Sequence, residues 1–129
     1  MSLLEAFRAI GSLQSQKPAR FTLWYRPPSE GPVTVGHLEF DSRMWSFWYD
    51  KEFKARGDLR PLEGFDELER VYRSSVLFPF FVVRIPDLDR RDVKRRLREE
   101  HISKPDPADL LRIFGRRVAS SPAFELVPS

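Results

Sequence analysis

Residues 33–49 read VTVGHLEFDSRMWSFWY, and this stretch decides the fold. Val33 to Phe40 form one strand, in which Gly36 marks a bulge or a close approach by another side chain. Asp41–Ser42–Arg43 make a short turn into Met44–Tyr49, and so short a connection favours an antiparallel pair. The second strand alternates: Trp45, Phe47 and Tyr49 point to one side, Met44, Ser46 and Trp48 to the other. With the first set facing the core, Trp48 lies on the outer face of the sheet, near Trp24. Either a helix of the same chain covers that face or another protein does, since clustered exposed aromatics mark interfaces.

Towards the N-terminus, Phe21, Leu23 and Tyr25 alternate with Thr22, Trp24 and Arg26, the period of a half-buried strand. Pro27 to Pro32 form a stiff loop between it and Val33. Residues 2–16 read as a short amphipathic helix. Ser2 and Glu5 have capping-box spacing, Leu3, Leu4, Phe7 and Ile10 share a face, and Pro18 stops it. A lone helix of this length is marginal in water, so it needs a surface to dock on.

Towards the C-terminus, residues 50–75 are irregular. Asp50–Arg56 make one helical turn that tucks Phe53 inward, and Asp66–Tyr72 another. Val76–Ile85 is an apolar run that periodicity alone does not assign, although Pro79 argues against a central strand. Asp89 caps a helix running to about His101, with Val93 and Leu97 on its buried side. Arg91, Lys94, Arg95 and Arg98 gather on the far side within roughly 100° of one another. Asp92 and Arg96 have the spacing of a stabilising i, i+4 ion pair. Asp106 caps a second helix, with Pro107 in its first position, Leu110, Leu111 and Phe114 on its apolar face, and Gly115 where a left-handed C-terminal residue is wanted. Phe124–Val127 add a final short strand.

Composition bounds the function. A chain of 129 residues with 41% hydrophobic residues is one domain with its own core. The absence of cysteine excludes disulfides, thiolate zinc sites and thiol nucleophiles. No apolar run approaches the roughly 18 residues of a membrane span, and no signal peptide is recognisable, so the expected location is the cytoplasm. The net charge is +3, and the whole positive excess lies in residues 84–129. A basic half points to nucleic acid, an anionic surface or an acidic partner, or more plainly to a well-solvated helical face.

Little chemistry is on offer. His37 and His101 have no local partner at metal-ligand spacing, and the plain reading of each is a structural or solvated side chain. All six glycines are isolated, so there is no phosphate-cradling loop, and no nucleophile elbow is present. Asp87, Asp89 and Asp92 are interrupted by Arg90 and Arg91, which favours capping over cation binding. No catalytic residue, cofactor site or metal site is expected, and the chain does not read as an enzyme. Neither a pair of helices at recognition spacing nor an aromatic RNA-binding motif is present, so no direct sequence-specific nucleic-acid binding is expected.

From residue 20 onward the order of motifs resembles the N-terminal subdomain of HipA, the kinase toxin of bacterial toxin–antitoxin systems. Phe21–Tyr25 resembles the opening strand, Val35–Gly36–His37–Leu38 its V-G-x-L, and Phe47–Trp48–Tyr49–Asp50 its F-x-Y followed by a turn to an aromatic, here Phe53. Pro61–Leu62 stands where the family has P-L. Phe80–Phe81 and Ile85–Pro86–Asp87 resemble its F-F-x-N-L-L-P-[DE], while Asp106–Leu111 and Gly115–Arg116 resemble its D-P-F-x-L-L and G-R-D. The departures are Glu63–Gly64–Phe65 for S-L-S, Val83–Arg84–Ile85 for N-L-L, and Arg117 for the aspartate of G-R-D. Nothing here resembles the kinase's ATP-binding or catalytic segments.

The resemblance implies that residues 78–85 are helical. The expected fold is then α+β: a small antiparallel sheet packed by several helices. A helical extension over residues 1–18 precedes a single domain over 19–129. It also implies a function. In split, three-component versions of these systems a small protein pairs with a separately encoded HipA-like Ser/Thr kinase as its antitoxin. The expectation is a non-catalytic protein-binding module that restrains such a kinase, alongside a helix-turn-helix protein resembling HipB. Its expected contacts are Trp48 and Phe65, with Arg91, Lys94 and Arg98 steering an acidic partner. The alternatives are a nucleic-acid-associated basic module and a homodimeric scaffold joined through the N-terminal helix.

Overall fold

Phe21, Leu38 and Phe47 stand side by side on three neighbouring antiparallel strands, all essentially without solvent exposure. They mark the inner face of a five-stranded sheet in the computed structural model, which describes residues 17–119 and 122–129. The strands are β1 (Ala19–Tyr25), β2 (Val33–Phe40), β3 (Trp45–Tyr49), β4 (Tyr72–Ser74) and β5 (Phe124–Pro128). Their order is β4-β3-β2-β1-β5, with every neighbouring pair antiparallel. Among the described residues the sheet is joined by four short helices: α1 (Lys51–Lys54), α2 (Pro79–Val82), α3 (Arg91–Glu99) and α4 (Pro107–Phe114). The class is α+β. The helix expected over residues 2–16 lies outside the described residues.

The local signals in the β2–β3 stretch all act. The Asp41 carboxylate accepts the backbone N–H groups of Arg43 and Met44 at 2.9 and 2.8 Å, and Ser42 takes the left-handed conformation (φ 81°) that closes the turn. Those two backbone bonds hold the Asp41 carboxyl below its ordinary range. Gly36 serves close approach: a Cβ there would sit 2.6 Å from the Trp48 carbonyl and 2.8 Å from the Phe47 ring. A bulge also occurs, as the pairing of β1 with β2 slips between Leu23 and Trp24.

Every helix sends its buried side chains into the same core: Phe53 from α1, Phe81 and Val82 from α2, Val93 and Leu97 from α3, and Ala108, Leu110 and Leu111 from α4. Rings fill its centre, where Phe47 lies 4.4 Å from Phe65 and 5.7 Å from Phe81 between centroids. Tyr49 stacks on Phe53 at 4.9 Å.

Several local expectations need correction. Residues 66–71 form no helical turn, and Tyr72 opens β4 on the free side of β3. The helix expected over 78–85 is only Pro79–Val82; Phe78 is its extended N-cap and Pro79 its first residue, where a missing N–H costs nothing. Arg90, not Asp89, is the N-cap of α3, because Asp87 already turns the chain by accepting the Asp89 N–H at 2.9 Å. Asp92 pairs with Arg90 at 2.6 Å rather than with Arg96, which reaches Glu100 at 2.9 Å. Arg90 is still extended as it enters the helix, so it can fork onto Asp92 through two nitrogens.

The two helix C-termini also exchange roles. Gly115 is right-handed (φ −84°), and its small size matters instead, since a Cβ would lie 2.7 Å from the Leu111 carbonyl. The left-handed residue is His101 (φ 57°) after α3. There the Ile102 N–H donates to Leu97 O and the His101 N–H to Arg98 O, the paired bonds of a Schellman motif. At the α4 N-terminus Asp106 is the cap and Pro107 comes first, as expected, and the structure adds a reciprocal capping box between Asp106 and Asp109.

Candidate functional site

Three surfaces come out of this arrangement. The first is the outer face of the sheet. Thr22, His37 and Trp48 form one row across β1, β2 and β3, and all are half-buried. Among the described residues no helix packs on this face, because every helix buries its apolar side chains on the other. Trp48 packs against His37, with ring centroids 5.6 Å apart, rather than against Trp24, which stands opposite Thr34. His37 Nε2 in turn lies 2.8 Å from Asp50 Oδ1. Burial pushes the Asp50 carboxyl up, but the bonds from His37 and the Glu52 N–H outweigh it and leave the group below its ordinary range. Trp48 is therefore held in place by a side chain that is itself anchored.

The second is a crevice of about 540 Å³ between the loop at Glu63–Phe65 and α2. Phe65, Phe78, Phe80 and Val83 line it. Phe65, expected as a contact residue, is 2% exposed and belongs to the core, so it forms the floor of the crevice rather than a projecting anchor. Val83, at 61% exposure, is the apolar side chain that projects. The crevice is fixed from below by Tyr49, whose hydroxyl donates to Phe65 O and accepts the Leu62 N–H. Burial pushes its phenol up to about 12.

Arg84 lies between this crevice and a second one on the α3 side. Only 2% exposed, it donates from Nη1 to the carbonyls of Gly115 and Arg116 and from Nη2 to that of Phe124. Its Nε has no partner, and no carboxylate balances its charge among the described residues. Burial lowers its affinity for the proton. Arg84 is a clamp on the segment between α4 and β5. A charge inside the apolar run Phe80–Ile85 is the sequence signal for it.

The third surface is the exposed side of α3, where Arg91, Lys94, Arg95 and Arg98 all face solvent. These cations leave α3 on the side turned away from the core, whereas Trp48 leaves the sheet on the face turned away from the same core. The structure does not bring the expected contact residues together. Their directions diverge.

Sequence reading missed one further cluster. Glu125, 4% exposed, receives Arg116 at 2.7 Å and Arg26 and Arg117 at 3.2 Å each. The bond from Arg116 lowers its carboxyl, burial opposes it, and Arg26 adds to the lowering. No local spacing announces a contact between Arg26 and Glu125, which only β1–β5 pairing makes.

Among the described residues no three His, Cys, Asp or Glu side chains converge as a metal site, and no helix is long and apolar enough to cross a membrane. Comparison with known families gives a match to the HipA N-terminal domain over residues 31–120. The chain belongs to the HipA N-terminal domain family. The matched residues carry β2, β3, β4 and all four helices, so the crevice, the Trp48–His37 pair and the α3 cations all fall within the HipA N-terminal domain match. The sheet extends beyond it, since β1 and β5 lie outside the matched span yet pair with each other. No curated protein and no solved structure matches significantly.

Proposed function

We propose that this chain is a non-catalytic binding module that holds a separately encoded HipA-like Ser/Thr kinase, restraining it as an antitoxin does. The observation that carries the reading is the match to the HipA N-terminal domain over residues 31–120. The outer sheet face supports it with a half-buried tryptophan that His37 and Asp50 hold in a fixed position. Interface hot spots are enriched in tryptophan, and a side chain already held in place loses less freedom on binding. Restraint requires only that the module bind one kinase conformation more tightly than another.

The test is co-expression with a HipA-like kinase encoded beside this chain. The expected result is a complex that survives purification and restores growth, with Trp48→Ala weakening both while leaving the melting temperature within a few degrees. A kinase that neither co-purifies nor loses toxicity rejects the reading.

A further inference from the structure

The α3 helix divides its cations into two classes. Arg90 and Arg96 are each neutralised by a carboxylate, Asp92 and Glu100. Arg91, Lys94, Arg95 and Arg98 have no carboxylate within ion-pair distance among the described residues, and all four are exposed. They lie within roughly 100° of helix circumference and about 10 Å of rise. Arg91 with Arg95, and Lys94 with Arg98, are like-charge pairs at i, i+4, a spacing that weakens a helix. Pairing on the helix therefore does not account for where these four cations stand.

The chemistry of this face selects its partner. It carries no apolar side chain, since Val93 and Leu97 are buried. Protein interfaces are anchored by buried apolar or aromatic residues, whereas nucleic-acid interfaces are polar and strongly positive. Beside the helix start, Arg117 lines a crevice of about 510 Å³ together with the paired Arg90 and Asp92. Arg117 shares Glu125 with Arg26 and Arg116, three cations on one carboxylate.

We infer that the exposed side of α3 is a phosphate-contacting face that takes the backbone of double-stranded DNA without reading its bases. A duplex presents a dense line of phosphates to which arginine forks bind in pairs of hydrogen bonds. The inference is independent of the kinase reading, because the four cations and Trp48 leave the molecule in different directions.

The experiment is fluorescence anisotropy of the full chain with a labelled 20-base-pair duplex of mixed sequence. Four phosphate contacts predict a slope of about −3.6 in log K against log salt, hence a loss of roughly 100-fold between 50 and 200 mM salt. A second duplex of unrelated sequence binds equally. The quadruple variant R91Q, K94Q, R95Q, R98Q abolishes binding with helix content unchanged, and R91Q or R98Q alone lowers the slope by about one. Absence of binding at 50 mM salt overturns the inference, as does binding that the quadruple variant retains. Equal or tighter binding of poly-glutamate at matched charge also overturns it, assigning the face to an acidic protein. Kinase capture by the parent chain, and DNA binding by the Trp48→Ala variant, measured in parallel, separate failure of this inference from failure of the kinase reading.

Discussion

The Tyr49 hydroxyl donates to the backbone carbonyl of Phe65 at 2.6 Å, across sixteen residues of chain. It also accepts the Leu62 N–H at 2.8 Å, so one phenol closes the loop that floors the apolar crevice. Tyr49→Phe leaves a buried donor and a buried acceptor unpaired, at an expected cost of about 2–3 kcal/mol. Urea denaturation measures it, and a variant within about 0.5 kcal/mol of the parent contradicts the role assigned to the hydroxyl. The raised phenol carries a pH signature. The folded state keeps its proton to about 12, above the ordinary 10, so this contribution is full below pH 10 and is lost as pH rises towards 12. The variant lacks that alkaline loss.

Arg84 holds three carbonyls from a position 2% exposed. Arg84→Met keeps the aliphatic stem and removes the donors. The expected cost is about 2–4 kcal/mol, because charge-assisted bonds to buried carbonyls are lost and nothing replaces them. Hydrogen exchange adds a local readout: the Leu126 amide, which donates to Arg116 O, loses protection first. A neutral Arg84→Met substitution sinks the clamp.

Gly36 is the one glycine in β2, and the carbonyl of Trp48 leaves it no room for a methyl group. Gly36→Ala forces β2 and β3 apart and costs about 2–3 kcal/mol. Gly57→Ala is the control, with nothing within 4 Å of the added Cβ, and changes stability by less than about 0.5 kcal/mol. Similar melting temperatures for the two variants exclude close approach as the reason for Gly36.

Glu125 gathers Arg26, Arg116 and Arg117, and its carboxyl is held below the ordinary value of 4.5. A depressed acid contributes its stability in full above the ordinary value and loses it as pH falls through the depressed one. Glu125→Gln therefore costs about 1–2 kcal/mol at pH 7, and the difference from the parent shrinks below about pH 4. Denaturant midpoints from pH 3 to pH 8 test this. A difference that stays constant over that range shows that the charge of Glu125 is not what holds the cluster.

Legibility follows the range of the forces. The β2 boundaries, the Asp41 turn, the inward set Trp45, Phe47 and Tyr49, the inward Phe53 and the Asp106 cap were all readable in the sequence. Each depends on neighbours within a few residues. The Asp92 pairing was misread because two partners lay within reach, and spacing alone does not choose between them. The strand Tyr72–Ser74 was missed because three residues are too few to display a period. Strand alternation was enough to place Trp48 on the outer sheet face, and helical spacing to place the four cations on the exposed side of α3. Phe65 was recognisable as an aromatic, but its burial was not.

The amino-acid sequence by itself determined the alternation that gives the sheet two faces, the cap that starts α4, and the cationic side of α3. Period, capping chemistry and helical geometry are properties of short segments. Only the tertiary structure decided that β1 lies between β2 and β5, that Arg84 closes over carbonyls 31 to 40 residues away, and that Arg26 meets Glu125 across 99 residues. Those contacts exist because hydrophobic burial on one sheet face brings distant segments together, and no local pattern encodes which distant partner arrives.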